Sequence, residues 1–322
     1  MDAVRRDEIP VFDLESFGDD LVRMGAALGQ AARNTGFFCV TKHSIDAALI
    51  ARVFAQSARF FLQDSADKSA LSINHTGNNR GYVALGEERL DAAKPGDVKE
   101  AFNIGWDLPP NHPDVIAGKP FRGVNVWPVA ELFPDFRRAM LAYFDACHQL
   151  GLRLHQALAH DLCVEENFFH DMLDQPLATL RLLHYPPRPD CFEPGQTGAG
   201  EHTDYGNITL LATDDAGGLE VRTRDGHWMS PPSIPGALIC NIGDCLMRWT
   251  NDLYVSTPHR VVNPVGRERY SVAFFLDPNP DALVACLPSC MSSAKPAKYA
   301  ATTGAAYLKD RLDATYSYRE KR

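Results

Sequence analysis

The chain has 322 residues, with 32 Lys and Arg against 41 Asp and Glu, for a formal net charge of -9. Its 45% hydrophobic and 23% charged residues are the balance of a globular protein that buries a substantial core. The acidic balance builds no basic field for phosphates, which excludes broad nucleic-acid or anionic-membrane binding, and no run approaches the roughly 18 apolar residues of a membrane helix.

The opening MDAVRRDEIPVFDL has no apolar signal-peptide core, so a cytoplasmic protein is expected. Eight cysteines, at 39, 147, 163, 191, 240, 245, 286 and 290, form no CxxC pair and read as reduced thiols. In chain order, IPVFDL (9–14) predicts a first strand. DDLVRMGAALGQAARNTG then puts Leu21, Met24, Leu28 and Ala31 on one helical face, closed by Gly36. FFCVTKH (37–43) predicts a strand, and Ser44 is the expected cap of a helix through IDAALIARVFAQSARFFLQ. Residues 72–128, rich in Gly, Pro and Asn, predict loops with short strands, and a long helix is expected near 135–161. Its His148, His155 and His160 include no pair four apart, so they read as surface or hydrogen-bonded core histidines.

From residue 178 the pattern changes. Short β-rich runs (ATLRLLHY, HTDYGNITLLAT, LEVRT, HWMSPP, ALICNIGD, HRVVNP, RYSVAFFLD) alternate with turns such as DDAGG and RDGH, and GAAYLKDRLDATY predicts a closing helix. Many short strands with Gly/Pro turns argue for a mainly β protein with flanking helices, its core a closed antiparallel barrel or a jelly roll (double-stranded β-helix). We divide the chain into an N-terminal region, 1–130, and a jelly-roll core, 131–322, carrying the long and C-terminal helices.

His202 and Asp204 stand two apart in GEHTDYGNITLLA, and residues at i and i+2 of a strand share a face. His259, opening the run HRVV, can add a second imidazole. Two histidines and a carboxylate on one side of a metal suit non-haem Fe(II) with open positions, and they also occur at zinc. Ten residues on, Arg269 and Ser271 are again i and i+2, a guanidinium and a hydroxyl that together suit a small carboxylate.

EHTDYGNITLLATDDAGGLEV, GALICNIGDCLMRWTNDLYVSTPHRVVNP and RYSVAFFLDP together resemble the core of the Fe(II)- and 2-oxoglutarate-dependent dioxygenases of the isopenicillin N synthase-like group. IPVFDL, NTGFFCVTKHSID, RGYVALGEERL and DVKEAFNIG resemble its N-terminal and middle regions, so the resemblance spans nearly the whole chain. It implies an enzyme that uses Fe(II), 2-oxoglutarate and O2 to oxidise, by hydroxylation, a small organic molecule with release of succinate and CO2. A relative of the same fold that oxidises without 2-oxoglutarate is the alternative. Carried over by position, His202, Asp204 and His259 are the implied iron ligands. Arg269 and Ser271 are the implied anchors of the cosubstrate's distal carboxylate, with a hydroxyl contact from Tyr185. The group usually has Asn two residues before that tyrosine, where this chain has Leu183. Phe275 matches a substrate-facing aromatic, and Phe102 and Asn103 a position at the mouth of the site. Arg181 is open between substrate contact and surface, and Tyr205 between substrate contact and packing. Retention of the Asp204 carboxylate implies hydroxylation, desaturation or ring chemistry rather than halogenation.

Overall fold

The computed structural model describes residues 8–90, 95–187 and 196–313. Twelve strands carry the architecture: β1 (Val11–Asp13), β2 (Phe37–Thr41), β3 (Gly81–Val83), β4 (Glu100–Gly105), β5 (Thr179–Tyr185), β6 (Ala199–His202), β7 (Ile208–Thr213), β8 (Leu219–Arg222), β9 (Trp228–Met229), β10 (Leu238–Ile242), β11 (His259–Val261) and β12 (Arg269–Leu276). They form an eight-stranded sheet in the order β1-β2-β10-β7-β12-β5-β4-β3, facing a four-stranded sheet, β6-β11-β8-β9. Every pairing is antiparallel except β1 with β2. The jelly-roll expectation holds, and strands from before residue 130 extend the same large sheet.

Period-two alternation divides that sheet into a helix-facing side and a cavity side. On β12, Val272, Phe274 and Leu276 join the core under the helices, as do Leu180 and Leu182 of β5 and Leu210 of β7. The intervening Arg269, Ser271, Ala273 and Phe275 of β12, with Arg181, Leu183 and Tyr185 of β5, face a cavity between the sheets. The register aligns them, Arg269 opposite Tyr185, Ser271 opposite Leu183 and Ala273 opposite Arg181.

The long helix, Phe136–Asp161, backs the outer side of the large sheet. Leu21–Asn34 crosses it at very short range, because Gly25 and Gly29 face it. A Cβ on Gly25 would lie 2.0 Å from the carbonyl oxygen of Ala157. Gly36, at φ +67°, closes that helix as expected. The next helix, Ala47–Phe61, is capped by Asp46, whose carboxylate accepts from the Ala48 amide, and not by Ser44. Ser44 is at φ +66°, two residues upstream, where its hydroxyl is out of register for a cap. His148 and His155 are satisfied core histidines, bonded to the carbonyls of Leu173 and Gly151. Trp249 is core, whereas Trp228 is half-buried beneath the Arg260 guanidinium.

Candidate active site

The small sheet and the loop beyond it bring together three side chains able to hold a metal ion. His202 ends β6 and His259 begins β11, directly opposite each other in the antiparallel register. Asp204 stands just past the end of β6, so a loop rather than strand alternation sets its direction. That loop is fixed by the Asp204 carbonyl, which accepts from the Asp244 amide at 2.8 Å. Asp204 Oδ1 lies 3.8 Å from His202 Nε2 and 3.6 Å from His259 Nε2. One ligand atom from each residue falls within 4.8 Å of the others, the only such group of three or more among the described residues.

Hydrogen bonds behind these atoms determine which of them face inward. His202 Nδ1 is 2.7 Å from the Gly200 carbonyl and His259 Nδ1 is 3.1 Å from that of Thr257. A carbonyl only accepts, so each Nδ1 carries the proton and each Nε2 turns a lone pair inward. Asp204 Oδ2 accepts from Thr209 Oγ1 at 2.5 Å and from Asn241 Nδ2 at 2.7 Å, leaving Oδ1 toward the histidines. Burial and the adjacent His259 push the His202 pKa well down and favour the neutral ring that a metal requires. Burial works to raise the Asp204 pKa, but the two histidines, with the Asn241 and Thr209 hydrogen bonds, hold it low. The donor set fits a divalent first-row metal with one open side.

The cavity these residues border has a volume of about 1110 Å³, its open mouth included. At its β12 end Arg269 is 1% exposed. Its Nε donates to the Gly217 carbonyl, its Nη1 to Ser271 Oγ at 3.0 Å, and the guanidinium lies 4.6 Å from the Tyr185 ring centre. No carboxylate pairs with it among the described residues. A guanidinium buried without a counter-ion is costly, and an anionic ligand removes that cost. The Arg269–Ser271–Tyr185 surface therefore fits the distal carboxylate of a keto acid.

The remaining expected residues divide. Arg181, Asn103, Tyr205 and Phe275 all line the cavity. Phe102 does not: on β4 its neighbours Ala101 and Asn103 face inward, so Phe102 points outward and packs with Phe60 and Phe136, fully buried. Arg181 is no surface arginine. Its Nη1 and Nη2 donate to the two Glu88 oxygens at 3.1 and 2.8 Å. Lys99 lies 3.0 Å from the same carboxylate and also pairs with Asp97. Burial works to lower the Lys99 pKa, but Glu88 and Asp97 outweigh it and raise it. Asn79 and Asp277 also line the cavity. Asp277 is 4% exposed, and burial and the Asp204 carboxylate push its pKa up to about 7. Inward polar positions in or just past apolar strands were a usable signal for Thr209, Asn241 and Asp277. Glu88, Asp97 and Asn79 lie in loops, where no periodicity marks them.

The family model described as 2OG-Fe(II) oxygenase superfamily matches residues 176–278, and the one described as non-haem dioxygenase in morphine synthesis N-terminal matches 9–130. A 2-oxoglutarate-Fe(II) type oxidoreductase of Emericella nidulans, hxnY, is 37% identical over 90% of this chain and 85% of its own length. The chain belongs to the 2-oxoglutarate- and Fe(II)-dependent oxygenases. The crystal structure of a full-length Neurospora crassa protein in complex with alpha-KG and thymine superposes with a TM-score of 0.84 at 32% identity, covering 97% of this chain and 98% of that one. A 2OG-Fe(II) oxygenase family protein of Caulobacter crescentus gives 0.83 at 34% identity, covering 95% and 98%. As a member of the family this enzyme is a dioxygenase that uses Fe(II) and 2-oxoglutarate, and the relatives favour that reading over the keto-acid-independent oxidase. No helix among the described residues is long and apolar enough to cross a membrane.

Proposed function

We propose that this oxygenase, of the isopenicillin N synthase-like group, hydroxylates a small organic molecule in the cavity between its sheets. The reaction couples C–H oxidation to conversion of 2-oxoglutarate into succinate and CO2. In this reading His202, Asp204 and His259 hold Fe(II), and Arg269 with Ser271 holds the distal carboxylate of the keto acid beside the Tyr185 hydroxyl. Bound there, the iron and keto acid supply the oxidising chemistry with O2. The protein's own residues orient and shield. The Nδ1–H bonds keep both imidazoles in one tautomer, and Thr209 and Asn241 keep one Asp204 oxygen occupied. Phe37, Leu211, Val261, Phe275, Leu308 and Leu312 line the cavity with apolar surface that excludes water. The free state of all seven described cysteines supports a cytoplasmic, reducing location.

The observation that carries this reading is the fully buried Arg269 without a carboxylate partner. Anaerobic titration of the Fe(II) protein with 2-oxoglutarate, followed by the visible absorbance of the keto-acid chelate, tests it. Arg269→Met removes a charge-assisted contact of about 1.5–3 kcal/mol and is expected to weaken 2-oxoglutarate roughly 10- to 100-fold. Unchanged affinity in that variant counts against the assignment.

A further inference from the structure

The charges on the cavity wall close into pairs with one remainder. Three cations line it: Lys99, Arg181 and Arg269. Glu88 and Asp97 neutralise Lys99 and Arg181 through contacts that are buried on both sides. Arg269 is assigned to the keto acid, and Asp204 to the metal. The group left over is a carboxyl. Asp277 continues the inward row of β12 two residues beyond Phe275, and its carboxylate has no hydrogen-bond donor and no cation partner among the described residues. The substrate side also holds two neutral groups in the same condition. Asn79 and Asn103, at 8% and 2% exposure, each leave a buried side-chain oxygen without a partner. Polar groups buried unpaired are costly, and at a cavity wall the partner to look for is a ligand.

Resting on the proposed small-molecule oxidation, we propose that the substrate is a neutral or cationic molecule presenting N–H donors, an amine or amide rather than an organic acid, with Asp277 as the acceptor that selects it. Arg181 does not serve as a carboxylate receptor, because Glu88 already occupies both of its terminal nitrogens. Above about pH 7, where Asp277 is ionised, an acid placed in the cavity meets it without a free counter-ion, and like charge at short range in a desolvated site opposes binding.

Calorimetric titration at pH 8 of the Mn(II)- and 2-oxoglutarate-loaded protein tests this with matched probes: benzylamine, benzamide and benzoate, and the pair indole-3-acetamide and indole-3-acetate. The amine and amides are expected to bind at least about tenfold more tightly than the acids, a difference of about 1.4 kcal/mol. Asp277→Asn is expected to weaken benzylamine at least tenfold, with the 2-oxoglutarate dissociation constant checking that the site is intact. Glu88→Gln releases Arg181 and is expected to strengthen benzoate, a gain that misfolding cannot produce. Preference for the acids, equal binding of both sets, or binding of neither overturns the proposal, as does benzylamine affinity unchanged in Asp277→Asn. The readout is binding, so a failure here is distinguishable from a failure to form succinate.

Discussion

Asp204 does two jobs with two oxygens. Oδ2 is saturated by Thr209 and Asn241, and that occupancy turns Oδ1 toward His202 and His259. Asn241 and Thr209 are opposed residues on β10 and β7, so the large sheet steers a carboxylate that belongs, by chain position, to the small one. Loss of such supporting partners characteristically costs about 10–100-fold in metal affinity or activity. Asn241→Ala and Thr209→Val are therefore each expected to weaken Mn(II) binding by about that factor, measured by calorimetry. Because both bonds act on one oxygen, the double variant should fall short of the product of the two effects. An unchanged metal affinity in both single variants would show that the loop alone orients Asp204.

At the scale of elements, the crossing of Leu21–Asn34 over Phe136–Asp161 depends on glycine. Gly25→Ala puts a methyl 2.0 Å from the Ala157 carbonyl oxygen, which is backbone and cannot rotate away. The helices must separate, at a cost of about 1–3 kcal/mol in overpacking. Chemical denaturation should show that loss with Mn(II) affinity retained, since the crossing lies on the outer side of the large sheet. Elements such as these were legible in the sequence where one face is buried and the other is not. The apolar face of Leu21–Asn34 and the alternation of β12 announce their own directions, and β12 revealed Arg269, Ser271 and Phe275 together. Strand β4 defeated the same logic. It is buried on both faces, so EAFNIG has no polar side to mark its outward direction, and Phe102 was expected at the mouth when it faces the helices. The Arg181–Glu88–Lys99–Asp97 network was invisible for another reason. It joins loop residues to Arg181 of β5, 93 positions from Glu88, and only the folded chain reveals that Arg181 is already paired.

For the whole molecule, the cavity is a joint between two sheets. His202 and His259 belong to the small sheet, Asp204 is tied to the large one through Thr209 and Asn241, and Arg269 stands on β12. The helix Gly304–Asp313 adds Leu308 and Leu312 to the cavity wall. In the proposed reading, a metal held by this triad and a keto acid reaching Arg269 connect parts of the fold that otherwise meet only across the cavity. The unfolded chain cannot assemble these groups, so each ligand stabilises the native state by mass action, about 2.7 kcal/mol at a hundredfold excess over its dissociation constant. Differential scanning calorimetry should show a higher Tm with Mn(II) and 2-oxoglutarate together than with EDTA. Asp204→Ala should lose most of the rise from both ligands, since the keto acid chelates the metal. Arg269→Met should keep the rise from metal alone and lose most of the increment from 2-oxoglutarate. If the two ligands raise the Tm by independent amounts that neither variant alters, metal and keto acid do not occupy this joint, and the division of roles among His202, Asp204, His259 and Arg269 fails.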